Sequence, residues 1–189
     1  MRTLFRSLCA LAALFSGTAA MTANPEPLLF GGARAGATVE DIAQLISLAK
    51  PPVGKKPYVY GTTCELVRTN YSISGMEMQQ CYHFKDGKLV MVRFHANVTE
   101  MARQDKSLSV SKRTLLANGY LYESVKHLTE KYGRPTTKEG NPSAAYYRWE
   151  RDNGLVIELS HLRAFVLSTS VWFSDGSLPS ASLANKPKR

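Results

Sequence analysis

Cysteine is scarce in this 189-residue chain, with Cys9, Cys64 and Cys81 the only three. That number excludes a cysteine-rich scaffold and a four-thiolate zinc centre. Acidic residues are also in short supply: 15 Asp and Glu stand against 24 Lys and Arg, a formal charge of +9. No His-x-His or His-Glu-x-x-His spacing occurs, and no Gly-x-Ser-x-Gly. Gly31, Gly32 and Gly36 precede a helix without a strand in front or a Lys behind, so they do not form a phosphate cradle. No catalytic residue, metal ligand or cofactor is therefore assigned. What the chain does have is 44% hydrophobic and 10% aromatic residues, enough to bury a core and to exclude disorder throughout.

Residues 1–20 read as a signal peptide. Arg2 and Arg6 precede a short apolar run from Leu8 to Phe15, and small residues at Thr18 and Ala20 suit cleavage after Ala20. The run is too short to span a bilayer as a helix, and no other stretch approaches that length. Cleavage removes Arg2, Arg6 and Cys9 but no acid, which lowers the charge to +7. Cys64 and Cys81 then remain as an even pair in an oxidising compartment, periplasmic or extracellular, where a disulfide is expected.

Order is expected from Leu28 onward. Thr38 is an N-cap with Glu40 and Asp41 in the first turn, and Ile42, Leu45, Ile46 and Ala49 follow at helical spacing until Pro51 and Pro52. Alternating β-branched and aromatic residues then predict strands over 58–68, 76–85 and 88–96, with Asp86-Gly87 as a two-residue hairpin turn. Residues 97–119 read as a polar, basic crossover. A second helix carries Leu121, Val125, Leu128 and Tyr132 on one face and ends at Gly133 and Pro135. Strands are predicted over 145–151, 155–161 and 165–173, before a disordered basic tail over 175–189. A three-residue loop at Asp152, Asn153 and Gly154 sets the second hairpin with Trp149 opposite Ile157, Tyr147 opposite Leu159 and Arg148 opposite Glu158, a favourable charge pair.

The resulting fold class is α+β in two layers: two short helices packed on antiparallel sheet of about six strands. Its halves are 28–96 and 120–174, and their similar element order raises an internal duplication.

Four histidines are the obvious titratable candidates. An uninterrupted two-residue turn puts His83 opposite Val90, with His95 five positions further on, so the two point to opposite faces; a one-residue slip would place them on one face about 20 Å apart. Neither arrangement lets them share a metal. His127 falls on the polar side of the second helix and His161 at a strand end, both read as solvated or locally bonded. Glu65, Glu77 and Glu158 lie on strands without forming an evident acid pair.

Positive charge is spread over loops, crossover and tail rather than gathered in a stripe, which argues against nucleic acid. An envelope protein or an anionic envelope polymer or lipid suits an exported basic protein better. Tyrosine is abundant, and Tyr with Arg is the composition of contact surfaces and equally of half-exposed antiparallel strands; on the first reading Tyr58, Tyr60, Tyr82, Arg93, Tyr147 and Arg148 are the candidate binding surface.

The segment from Gly36 to Ile42, with its Thr-Val-Glu-Asp-Ile helix start, the Asp-Gly-Lys-Leu at 86–89 and the repeated helix-plus-sheet order together resemble the exported modules of β-lactamase inhibitor proteins and BamE-like outer-membrane assembly lipoproteins. The resemblance implies a two-layer α+β module that binds another protein on its sheet. It carries over no individual binding residue, and the lipidated Cys of the lipoproteins is missing here. The reading is an exported non-enzymatic binding protein of the bacterial envelope, inhibitor or assembly factor in type, with a small envelope hydrolase or transferase as the alternative.

Overall fold

Two runs of alternating strands meet in a single antiparallel sheet in the computed structural model, which describes residues 27–46, 49–51, 58–73, 75–164 and 166–180. The proposed signal peptide and residues 181–189 lie outside the described residues. A small hairpin, β1 (Leu28–Phe30) and β2 (Ala33–Arg34), precedes helix α1 (Val39–Leu45). Strands β3 (Thr63–Ile73), β4 (Met76–Lys85) and β5 (Lys88–Asn97) form the first meander. Helices α2 (Val98–Gln104) and α3 (Val110–Tyr132) follow, and β6 (Thr137–Asn141), β7 (Ala144–Glu150), β8 (Val156–Arg163) and β9 (Leu167–Ser174) form the second meander.

The seven strands of the main sheet run in the order β3-β4-β5-β9-β8-β7-β6. The last strand of each meander therefore pairs with the other at the centre, with Arg93 opposite Trp172 and His95 opposite Ser170. The α+β class is the one the sequence predicts, with a strand more in the sheet, an extra hairpin and a third helix. The first half carries three strands of the sheet and the second four, so the halves are similar in plan without being equal.

Local chemistry explains most element ends. Thr38 accepts from the Asp41 N–H while the Asp41 carboxylate accepts from the Thr38 N–H, a complete capping box at the start of α1. Asp86 and Gly87 have φ of 49° and 74°, the pair of left-handed residues that a type I′ hairpin turn requires. The second hairpin has the predicted register, with Trp149 opposite Ile157, Tyr147 opposite Leu159 and Arg148 opposite Glu158.

Residues 97–119, read from the sequence as a polar crossover, are mostly helical and correct that reading. Asn97 caps α2 by accepting from the Glu100 N–H, and Ser109 caps α3 by accepting from the Lys112 N–H. The first turns of α3 carry Val110 and Leu115 at 75% and 74% exposure, so no apolar face marks them as helix.

One face of the sheet holds the core. Val92 and Phe94 of β5, Val171 and Phe173 of β9, Ile157 and Leu159 of β8 and Trp149 of β7 pack with Ala117, Leu121 and Leu128 of α3. Phe30 of β1 sits edge-on to Phe94 at 4.6 Å, so the small hairpin covers the same face. The Trp149 indole N–H donates to the Gly133 carbonyl at the end of α3, which gives a buried polar atom its partner. Because side chains alternate along a strand, every residue between these core positions projects to the opposite, outer face.

Candidate functional site

The outer face collects the polar residues of the central strands. β5 contributes Met91, Arg93 and His95, β9 contributes Ser168, Ser170, Trp172 and Ser174, and β8 contributes Val156, Glu158, Ser160 and Leu162; all line one cavity of about 190 Å³. Two chain segments wall it, one carrying Tyr58 and Tyr60 and the other Leu178 and Pro179. The first wall is fixed by the Tyr58 N–H donating to the Thr62 carbonyl and by Tyr58 packing on His83 at 4.6 Å between ring centroids. Tyr60 has φ 60°, a left-handed conformation that costs a non-glycine residue about 1 kcal/mol or more, and its hydroxyl donates to the Ser180 carbonyl. The second wall is fixed by Ser180, whose hydroxyl donates to Glu158 at 2.7 Å and contacts the Tyr146 hydroxyl at 2.8 Å. Residues 175–180, read from the sequence as the start of a disordered tail, are thus part of the site.

The two arginines of this face differ in their surroundings. Arg148 is matched by carboxylates on both sides, Glu150 and Glu158 at 2.7 Å each. Burial opposes its charge, but hydrogen bonds to Glu150, Tyr146 and Glu158 outweigh that and hold its pKa above the ordinary value. Arg93 has no carboxylate partner among the described residues. Its Nη2 donates to the Ser170 hydroxyl at 3.2 Å, its Nε is buried without a partner, and its guanidinium lies over the rings of Tyr58 at 4.6 Å and Trp172 at 6.0 Å. Ring faces offset part of the cost of burying that charge, though less than a carboxylate would. Burial accordingly lowers the Arg93 pKa.

His83 and His95 flank Arg93 on the same face, which corrects the sequence reading of opposite faces. A bulge between His83 and Phe84 moves His83 from Val90 to Met91, four residues from His95, about 13 Å along the strand at 3.3 Å per residue. Burial first, and the Arg93 charge second, push both imidazoles down to about 3, so both are neutral at pH 7. His95 Nδ1 and the Ser170 hydroxyl are 2.7 Å apart, with the direction of the bond set by the tautomer. His161, read as solvated or locally bonded, is fully buried and bonded to Thr169 at 2.8 Å.

Cys64 and Cys81 form the predicted disulfide. One ring nitrogen of His83 lies within 4.8 Å of both sulfurs, but joined sulfurs supply no thiolate to a metal.

Of the six surface candidates, the fold gathers Tyr58, Tyr60, Arg93 and Arg148 around the cavity. Tyr82 and Tyr147 are not there. Tyr82 is fully buried on the core face, where its hydroxyl accepts from Gln80 Nε2 at 2.7 Å. Tyr147 packs against the core and stacks with Trp149 at 6.1 Å between centroids. Tyr82→Phe should therefore cost about 1 kcal/mol in urea unfolding by leaving the Gln80 amide without its acceptor, with ligand binding on the outer face unchanged. Sequence reasoning missed His95, Ser170, Trp172, Glu158 and Ser180 as site residues, because the β5–β9 pairing and the return of residues 178–180 bring them in from far along the chain. No helix among the described residues is long and apolar enough to cross a membrane. Comparison with family models, with curated proteins and with solved structures finds no match to this chain.

Proposed function

We propose that this chain is an exported, non-enzymatic binding protein of the bacterial envelope that holds an anionic group of its partner in the outer-face cavity. The observation that carries the reading is Arg93, a cation in a walled cavity that aromatic faces and a serine contact but, among the described residues, no carboxylate does. A partner's negative charge would relieve a desolvation penalty the fold alone leaves in place. Export is supported by the residues 1–20 pattern and by the disulfide, which belongs in an oxidising compartment. The resemblance to β-lactamase inhibitor proteins and assembly lipoproteins favours a protein partner met through the sheet.

The alternative, a small hydrolase or transferase, draws on the 2.7 Å contact between His95 and Ser170 inside a cavity. Basicity favours the binding reading. A general base works best with a pKa near the operating pH, and His95, pushed down to about 3, has little tendency to take the Ser170 proton. The other convergence of titratable groups, Tyr146, Glu158 and Arg148, is a neutralised ion pair with the phenol donating to Glu158 at 2.6 Å.

Affinity capture from envelope extract tests the reading. Wild-type protein should retain a partner that is lost with Arg93→Gln and with Ser160→Trp, a side chain that fills the cavity. Retention unchanged by both substitutions would refute a role for the cavity.

A further inference from the structure

The cavity on the outer face has one guanidinium that no carboxylate of the described residues contacts, a limited volume and an aromatic lining from Tyr58 and Trp172, and these three properties together narrow its ligand. We infer that the anionic group it holds is a single carboxylate attached to an apolar body of about the size of one aromatic ring. This rests on the proposed binding function of the same cavity and goes beyond it by naming the chemistry of the ligand.

The charge comes first. Arg148 is held by Glu150 and Glu158, both histidines of the face are neutral, and Arg93 is the guanidinium that no carboxylate of the described residues contacts. A monoanion pairs with that guanidinium, whereas a phosphate monoester would bring a second negative charge beside Glu158, which already lines the cavity. Donor geometry agrees. The bond to Ser170 is the one hydrogen bond from Arg93 to the described residues, so most of its N–H donors have no acceptor among them. A planar carboxylate can accept from a guanidinium edge and from the Ser170 hydroxyl at once.

Volume limits the rest of the ligand. An engineered cavity of about 150 Å³ in another protein admits benzene, so the 190 Å³ here has room for a ring bearing a carboxylate and little more. The lining suits such a body: Tyr58 and Trp172 present ring faces to Arg93, and Met91 and Leu178 add apolar surface. The same group could arrive as a free small acid or as the C-terminal carboxylate of a polypeptide ending in an aromatic residue.

The full mature chain with its disulfide intact is titrated at pH 7.5 with phenylacetate, phenylacetamide, phenyl phosphate and an acetylated dipeptide ending in Phe with a free carboxylate, followed by calorimetry. Saturable one-to-one binding of phenylacetate or of the peptide, with a Kd of about 1 mM or tighter, is expected for ligands of this size. The amide and the phosphate should bind at least tenfold more weakly. Tighter binding of phenylacetate identifies a free acid as the source, and tighter binding of the peptide identifies a chain end.

Arg93→Gln should weaken binding of the acid at least tenfold, and Ser170→Ala, which keeps the Arg93 charge but removes the hydroxyl that Arg93 and His95 bond to, should weaken it a few-fold and lower the melting temperature by about 2–4 °C. Equal affinity for acid and amide, or for acid and phosphate, would overturn the carboxylate assignment while leaving the cavity as a binding site. So would the absence of binding by every probe while envelope capture still depended on Arg93. Loss of that dependence is the separate result that would overturn the binding function itself.

Discussion

Lowering the pH from 8 to 5 is expected to remove about 4 kcal/mol of folding stability through His83 and His161 alone. His83 is 1% exposed and faces Arg93, the Tyr58 ring and Thr62, beside the Cys64–Cys81 disulfide. His161 is fully buried beside Thr169, with Arg163 on the same strand. Burial, reinforced by the neighbouring arginine charge, pushes His83 down to about 3 and His161 down to about 4. Both imidazoles are neutral in the folded protein at pH 5, while the unfolded chain, titrating near 6.5, has bound protons at both. The unfolded state therefore holds more protons throughout the window from about 6.5 to 3, and stability falls as the pH drops through it. At pH 5 each group contributes about 2 kcal/mol of that loss.

Set against a typical domain stability of about 5–15 kcal/mol, the effect is large. Urea unfolding at pH 8, 6.5 and 5 reads it directly. Because carboxylates add their own pH dependence, the comparison that matters is with His83→Gln and His161→Gln, each of which should flatten the profile by about 2 kcal/mol. A double variant whose pH profile matched the wild type would show that the buried rings do not exclude protons. His95, which lines the cavity and is pushed down to about 3 by burial and the Arg93 charge, should add a loss of the same sign over the same window.

Where function meets fold, the informative contrast is between local and long-range coding. The register of the second hairpin is legible because Asn153-Gly154 and the Arg148–Glu158 charge match act over a few residues. That register also places Tyr147 and Arg148 on opposite faces, since adjacent strand residues cannot share one. Tyr82 is a different case. An uninterrupted Asp86-Gly87 hairpin would set it opposite Met91 and so on the face of Arg93, but the bulge after His83 sets it opposite Val92 and turns it into the core. No Gly or Pro marks that bulge in Tyr82-His83-Phe84, and aromatic residues on both sides hide the change of parity.

The cavity was less legible still. Arg93 meets Ser170 across 77 residues of chain, and only the pairing of the two meanders through β5 and β9 brings them together. Serines at 160, 168, 170 and 174 read as a weak, polar strand pattern until the sheet shows that they share one face. Helix α3 was legible in its second half, where Leu121, Leu128 and Gly133 carry the apolar stripe and the stop signal. Its first half offered only the Ser109 cap, and α2 only Asn97 with Glu100 three residues on.

Removing the disulfide is expected to cost about 3 kcal/mol, the loop-closure entropy of the 17-residue separation between Cys64 and Cys81. Location adds a functional consequence. The bridge ties β3, an edge strand paired on one side by β4, to the rest of the sheet, with the Lys50–Val67 bridge on its other side. Immediately before β3 lies the segment from Tyr58 to Gly61 that walls the cavity and places a ring under Arg93. Loosening β3 should therefore weaken the wall before the sheet as a whole unfolds, because edge strands open at a fraction of the global free energy. The Cys64→Ala/Cys81→Ala variant should unfold at lower urea in oxidising buffer and show no response to reductant, whereas the wild type should lose about 3 kcal/mol when reduced. Amide exchange should rise over 58–68 in the variant and stay near wild type in β8 and β9. A wild type equally stable with and without reductant would remove the disulfide from the stability of this fold, and unchanged exchange over 58–68 would break its link to the cavity wall.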